Sequence, residues 1–81
     1  MKHELKIEQH YLDALVSGEK TFEVRLNDRG YQKGDALRFR GYNAKNEWTT
    51  FETEITYVHS GLGLVWNYVV LAVKPLTEVA F

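Results

Sequence analysis

The sequence predicts a small α+β domain, built on a curved sheet of about five strands with one main helix after the first strand. Five stretches are strand-like, most of them alternating apolar and polar residues, as strands with one buried face do. A single stretch, residues 8–17, has helical periodicity instead. With 81 residues, the chain is near the lower limit for a domain stabilised by burial alone. We therefore expect a β-barrel-like sheet that closes on itself, with the helix covering one opening.

Composition narrows the classes of function. The formal net charge is −1, so no overall basic field attracts nucleic acid, and any such binding requires a local patch. Cysteine is absent, which removes disulfides and thiolate metal sites, and the three histidines lack ligand-like spacing. No apolar run is long enough to cross a bilayer. We expect a cytoplasmic protein without metal, cofactor or membrane contact, with a monomer as the favoured state.

The first third of the chain predicts a strand, a helix and an abrupt helix end. In residues 3–7, Leu5 and Ile7 share one face, which indicates a strand. In residues 8–17, an apolar stripe recurs at helical spacing, formed by Tyr11, Leu12, Leu15 and Val16. Gly18 follows directly and suits a left-handed helix cap. Residues 21–26 then alternate again, with Phe22, Val24 and Leu26 on one face and Thr21, Glu23 and Arg25 on the other.

The remainder predicts three further strands separated by turns. Turn-forming residues occupy 27–30 and Gly34–Asp35, and residues 36–42 place Leu37 and Phe39 inward with Arg38 and Arg40 outward. A polar loop at 43–47 precedes a β-prone run at 49–59, and glycines interrupt the chain at 60–64. Residues 67–73 are apolar on both sides, which predicts a central strand covered on both faces. Residues 1–81 form one domain, with residues 75–81 as a C-terminal tail.

The charged segment between the helix cap and the strand is the candidate site. Glu23 and Arg25 are two apart on a strand and project from one face, and Lys20 lies at the start of that strand. A carboxylate between two cations orients them, and a guanidinium suits phosphate, carboxylate or a stacked base. On the residues alone, an ion-pair network that closes the open end of a barrel is the favoured interpretation. Arg29 is expected at the rim of the cleft that these charged residues would line.

The segment Gly18-x-Lys20-Thr21-x-Glu23-x-Arg25 resembles the signature of the ASCH domains of the PUA-like superfamily. Residues 27–29, Tyr31 and Gly34–Asp35 are similar to a small uncharacterised bacterial and phage branch of that group. The residues that match this branch outside the segment are 1–7, 56–58, 61–64 and 68–71. The resemblance implies a PUA-like pseudo-barrel with a cleft beside the helix, lined by Lys20, Thr21, Glu23, Arg25 and Arg29.

The resemblance also implies a function in RNA biology. The first expectation is a module that binds RNA or a nucleotide in this cleft. The second is a small amidohydrolase that removes acetyl from N4-acetylcytidine or a similar modified nucleoside, with Lys20 and Glu23 as catalytic residues. Glu23 occupies the position where the enzymes carry a threonine, so Thr21 or a water held by Glu23 would replace that nucleophile. Glu52 and Glu54 are candidates for the later-strand glutamate of the enzymes. A structural or protein-interaction accessory role is the third alternative.

Aromatic residues are further candidates, since bases stack on their rings when these are exposed. Five aromatic residues could do so, although most of them are expected in the core or in hairpin packing: Tyr31, Tyr42, Trp48, Trp66 and Tyr68. Trp48, beside a polar loop, and Trp66, after the two glycines, are the ones we expect to be exposed. Arg38 and Arg40 are expected on a solvated strand face.

Overall fold

A curled, mixed five-stranded sheet and one helix make up the computed structural model, which describes residues 1–76. The elements in chain order are β1 (Lys2–Lys6), α1 (Gln9–Ser17), β2 (Phe22–Leu26), β3 (Ala36–Tyr42), β4 (Trp48–Ser60) and β5 (Tyr68–Pro75). The predicted α+β class, the number of strands and the position of the helix after the first strand are confirmed.

The strands are ordered β1-β3-β4-β5-β2, so the first two strands in the chain lie at opposite edges of the sheet. β1 pairs with β3 in parallel, and the other three pairings are antiparallel. The register between β4 and β5 shifts between Ile55 and Tyr57, and such a bulge bends a strand. The sheet thereby curls into a half-barrel whose two edge strands approach one another.

The core fills the concave face of this sheet. Leu12 and Leu15 of α1 pack there against inward-facing residues of the strands, chiefly Leu5, Leu37, Phe39, Ile55, Val69 and Leu71. The helix ends as predicted, because Gly18 has a left-handed backbone, with φ of 82°, and donates its N–H to the carbonyl of Leu15. These core side chains are removed from water, and this burial of apolar surface stabilises the fold.

Two expectations about which residues are buried are wrong. β5 is an interior strand of the sheet, but only one of its faces is fully buried; on the other face Val70 and Ala72 are half-buried and Tyr68 is 41% exposed. The helical stripe is also narrower than predicted, since Leu12 and Leu15 are buried whereas Tyr11 and Val16 are exposed. Within residues 1–76, the helix packs on the concave side, and the other face of β5 is only partly covered. The part of the predicted tail at residues 77–81 lies outside the described residues.

A buried acid–histidine pair joins β1 to the turn before β3. His3 Nε2 lies 2.8 Å from Asp35 Oδ2, and the same carboxylate accepts hydrogen bonds from the amide of Gln32 and from the amino group of Met1. The ring of Tyr31 packs edge-on against His3. Burial by itself would raise the pKa of Asp35, but these hydrogen bonds together hold it below the ordinary value.

The lowered pKa of Asp35 gives a pH-dependent contribution to stability. An acid whose pKa is lower in the folded state stabilises the protein above its unfolded-state pKa, and this contribution is lost as the pH falls through the folded-state pKa. We expect Asp35→Asn to lower the free energy of unfolding at neutral pH by about 2 kcal/mol. The difference from wild type should shrink in acid, below the ordinary value of 3.8.

Urea denaturation at a series of pH values measures both effects. Asp28→Asn is the control, because Asp28 is exposed. A difference between wild type and Asp35→Asn that stays constant from neutral pH into acid would contradict the contribution assigned to this carboxylate.

Gly41 of β3 permits the close approach of α1. A Cβ atom at this position would lie 2.5 Å from Gln9 Oε1 and 2.8 Å from Leu12 Cδ2. Because Leu12 is a core side chain, relief of this contact requires a shift of the helix. We expect Gly41→Ala to lower the free energy of unfolding by about 1–3 kcal/mol, measured by chemical denaturation. Gln9→Ala combined with Gly41→Ala tests the contact, because it removes Gln9 Oε1, the atom nearest the added Cβ, and should restore part of the lost stability.

Candidate functional site

The charged face of β2 points into the half-barrel. Glu23 is 7% exposed, whereas Phe22, Val24 and Leu26 of the same strand are exposed. The two faces are those predicted from the alternation, but the acid lies inside and the apolar residues lie outside. A buried carboxylate requires partners, and Glu23 has two.

Lys20 and Arg25 bind opposite oxygens of the Glu23 carboxylate. Lys20 Nζ donates to Oε1, and Arg25 Nε donates to Oε2 at 2.9 Å. We call these three residues the Glu23 cluster. Its formal charge is +1, and its cations are partly buried, so the carboxylate fixes both of them in place.

Local backbone contacts position the cluster. After the cap at Gly18, the amide of Lys20 donates to the carbonyl of Ala14 at 3.0 Å, which turns the chain back along the helix. The carbonyl of Thr21 then accepts from the amide of Val73, which begins the pairing of β2 with β5. Lys20 is thus held between the end of the helix and the start of the strand.

Arginines connect the two edges of the sheet. Arg25 Nη2 donates to the carbonyl of Lys6 at 2.8 Å, and Arg29 Nη1 donates to the carbonyl of Glu4 at 3.2 Å. Both carbonyls belong to β1, on the edge that faces away from β3. Side chains therefore satisfy carbonyls that a neighbouring strand would satisfy in a closed barrel. We call this line between β1 and β2 the seam.

A cleft of about 360 Å³ opens beside the Glu23 cluster, between α1 and β2. Its lining consists of Tyr11, Lys20, Phe22, Glu23 and Val24. Lys20 Nζ lies 5.0 Å from the ring centroid of Tyr11 and 5.3 Å from that of Phe22, so the ammonium makes a cation–π contact with both rings. Each of these two residues is 45% exposed.

The structure brings three of the five predicted site residues together. Lys20, Glu23 and Arg25 form the cluster, while Arg29 lies at the seam and contacts β1. Thr21 lines a smaller adjoining cavity of about 110 Å³, which Lys20 also borders. Tyr11 and Phe22 were not predicted as site residues. Their alternation and periodicity are those of core positions, and the sequence has no signal that separates them from buried residues.

The other candidates lie elsewhere. Glu52 binds Arg38 at 2.8 Å and Glu54 lies 4.0 Å from Lys74, so neither glutamate is paired with Lys20. Arg40 contacts Glu4 and stacks over Trp48, with its guanidinium carbon 4.4 Å from the ring centroid. Trp48 and Trp66 are exposed as predicted, and Trp66 is the more exposed of the two.

Metal-binding clusters and membrane-spanning helices are both absent from the part of the chain that the structure describes. No group of three or more histidine, aspartate or glutamate side chains is placed to hold a metal ion within residues 1–76. Across the same residues, no helix is long and apolar enough to span a membrane.

Comparison with known proteins gives a family and one phage relative. An uncharacterised 12.9 kDa protein in the GpA 3′ region of Escherichia phage P2 is 43% identical over 35 residues. The match spans 43% of this chain and 32% of the phage protein. The family model of the domain of unknown function DUF3850 matches residues 2–73. This range includes the helix, the strands β1 to β4, most of β5 and the Glu23 cluster. The chain therefore belongs to the DUF3850 family.

Proposed function

We propose that the cleft beside the Glu23 cluster binds a nucleotide or a short RNA element. The observation that carries the proposal is the pair of exposed rings, Tyr11 and Phe22, that both lie close to the Lys20 ammonium. The seam contacts give Arg25 and Arg29 a structural role, but they do not account for two aromatic rings left in solvent around a fixed cation. Two half-exposed rings beside a positioned cation, in a concave site, form an arrangement on which a base can stack.

The dimensions and lining of the cleft suit a nucleotide. Small-molecule sites are concave, mostly apolar and about 300–1,000 Å³ in volume, with a few polar groups that fix orientation. Tyr11, Phe22 and Val24 supply the apolar walls, and Lys20 and Glu23 supply one cation and one carboxylate. A base stacked on either ring would have hydrogen-bond donors and acceptors within reach at the floor of the cleft.

Electrostatics favour an anionic ligand over a cationic one. Glu23 neutralises one of its two cations, so the cluster keeps a formal charge of +1, with the side chains of Lys20 and Arg25 16% and 24% exposed. The pairing also removes side-chain freedom before a ligand arrives, which lowers the entropic cost of binding. A nucleotide phosphate at the mouth of the cleft would meet this charge.

Family-level expectations support the same proposal. The half-barrel with a cleft beside the helix is the arrangement that the resemblance to ASCH domains implies, and a PUA-like relationship is part of what we propose. We also propose the cytoplasmic location that the sequence predicts. Both cations of the cluster come from the segment that carries the resemblance.

Binding of labelled single-stranded RNA and of free nucleotides tests the proposal. We expect Tyr11→Ala and Phe22→Ala each to raise the dissociation constant about tenfold or more, because loss of one stacked base costs about 1–3 kcal/mol. Lys20→Gln should reduce the dependence of binding on salt by about one ion. Arg25→Ala should abolish binding, with its folding checked by circular dichroism because Arg25 also contacts β1.

Tyr57→Ala is the matched control, since Tyr57 is an exposed tyrosine outside the cleft. It should bind as wild type does. Absence of binding to RNA, single-stranded DNA and free nucleosides at low salt, with folded protein, would overturn the proposal.

A second candidate is hydrolysis of an acetylated nucleoside such as N4-acetylcytidine. The direct contact of Lys20 with Glu23 in an open cleft favours it, because a paired lysine and carboxylate can move a proton. Lys20, after it passes one proton to Glu23, would act as the activating base that takes the proton of the attacking water or Thr21 hydroxyl, and it would return this proton to the leaving nitrogen as the amide C–N bond breaks. Attack by water gives acetate and cytidine directly, whereas attack by Thr21 gives an acetyl ester that a water then hydrolyses to acetate.

Incubation of the folded protein with N4-acetylcytidine, followed by chromatography, tests this candidate. We expect acetate and cytidine to appear, and Lys20→Ala to slow their formation at least about a hundredfold, the usual size of a lost acid–base group. Lys74→Ala is the control, because Lys74 is an exposed lysine paired with Glu54. Unchanged substrate, or equal rates for wild type and Lys20→Ala, rejects hydrolysis while leaving the binding proposal to its own test.

A further inference from the structure

A second surface, separate from the cleft, lies at the loop between β4 and β5. Leu62, Val65 and Trp66 of this loop are 90%, 74% and 87% exposed. We call residues 61–67 the apolar loop. No charged residue occurs anywhere from Ser60 to Val73. Large apolar residues grouped in this way at a surface are characteristic of association sites.

The apolar loop is held in a defined shape. The amide of Leu64 donates to the carbonyl of Gly61 at 2.7 Å, and the amide of Tyr68 donates to the carbonyl of Val65 at 3.1 Å. The ring nitrogen of His59 lies 3.1 Å from the carbonyl of Leu62. Asn27, which lies outside the loop, donates its amide to the carbonyl of Asn67 in the loop at 2.7 Å. The exposed side chains are therefore presented by a hydrogen-bonded framework.

A pocket of about 340 Å³ lies beside the projecting Leu62. Its walls include Leu64, Val65, Trp66 and Tyr68, and polar groups are provided by Asn27, Ser60 and Asn67. Leu62 does not line this pocket but stands next to it in the same loop. A projecting apolar side chain and a cavity therefore share one patch.

We propose that this patch pairs with the same patch of a second copy of the chain. A two-fold dimer uses the same surface on both partners, so it requires a projection and a recess within one patch. Leu62 of each copy would enter the pocket of the other beside Trp66. Self-pairing brings no like charges together, because the apolar loop and the strand that follows carry none up to Val73.

The charge and the lining residues of the pocket favour a second copy of the chain over nucleic acid or lipid as the partner. The walls of the pocket, all within residues 1–76, include no lysine or arginine, which disfavours a nucleic acid. The polar groups of Asn27, Ser60 and Asn67 suit backbone and side-chain groups of a protein better than lipid chains. This inference replaces the expectation of a monomer and is independent of what the cleft binds.

The loop needs a neighbouring surface to make a stable contact. A standard interface buries about 800 Å² per partner, more than one short loop supplies. The convex side of β2 and β5 extends the patch, since Leu26 lies opposite Tyr68 in the register. Leu26 and Tyr68 are both exposed. Charged residues are absent from this row, as in the centre of protein interfaces.

Sedimentation equilibrium of the full chain over a wide range of concentration tests the dimer. We expect the mass to rise from one to two copies as concentration increases. Leu62→Lys and Trp66→Lys should each raise the dimer dissociation constant about tenfold or more, as loss of a central interface side chain does. Val16→Lys is the matched control, because Val16 is an exposed apolar residue at the end of α1. It should leave the constant unchanged.

Fluorescence gives a second readout that does not depend on mass. The chain has two tryptophans, so Trp48→Phe leaves Trp66 as the sole one. Quenching of Trp66 by acrylamide should fall as the dimer forms. A single-copy mass at every concentration, equal constants for Leu62→Lys and wild type, or a monomer that binds neutral phosphatidylcholine vesicles through Trp66 would each overturn the proposal.

Discussion

The pairing of Glu23 with Lys20 and Arg25 is the constraint on which the rest of the structure depends. The Glu23 carboxylate is only 7% exposed, and a buried carboxylate is stable only when cations pair with it. Lys20 and Arg25 provide this pairing, and Arg25 lies on the same inward face of β2 as Glu23. Arg25, held by Glu23, then reaches the carbonyl of Lys6 on β1 and links the two edges of the sheet. Closure of the half-barrel thus rests on side-chain hydrogen bonds at the seam, where a fully closed barrel would have a ladder of backbone bonds.

The inward orientation of Glu23 also places apolar residues of β2 at both exposed surfaces. Because side chains alternate along a strand, burial of Glu23 requires that Phe22, Val24 and Leu26 point outward. Phe22 becomes a wall of the cleft, and Leu26 joins the row that borders the apolar loop. A strand with its apolar face buried would have given the cleft no Phe22 wall and the apolar loop no neighbouring Leu26, and its charged face would have been exposed to solvent. The free energy of those exposed apolar residues is the cost of placing a charged cluster inside.

Local features of the fold could be predicted, and long-range ones could not. Gly18 at the end of the helix and the strand Ala36–Tyr42 follow from neighbouring residues alone. Alternation in β2 defines two faces but does not determine which is buried, because the deciding partner, the carbonyl of Lys6, is 19 residues from Arg25. The pairing of His3 with Asp35, 32 residues apart, is beyond local patterns for the same reason. Of the site, the Glu23 cluster was predicted, whereas the exposure of Tyr11 depends on how far the helix overlaps the sheet.

The two surfaces lie toward opposite ends of one short strand. Phe22, at the start of β2, borders the cleft, and Leu26, at its end, lies opposite Tyr68 beside the apolar loop. Four residue steps along a strand cover about 14 Å, so a ligand in the cleft and a second copy on the loop need not compete for space. Because a two-fold axis through the loop would repeat the cleft once, a dimer would offer two ligand sites on one assembly. Two linked sites bind a strand of RNA more tightly than one site does, since the second contact becomes intramolecular.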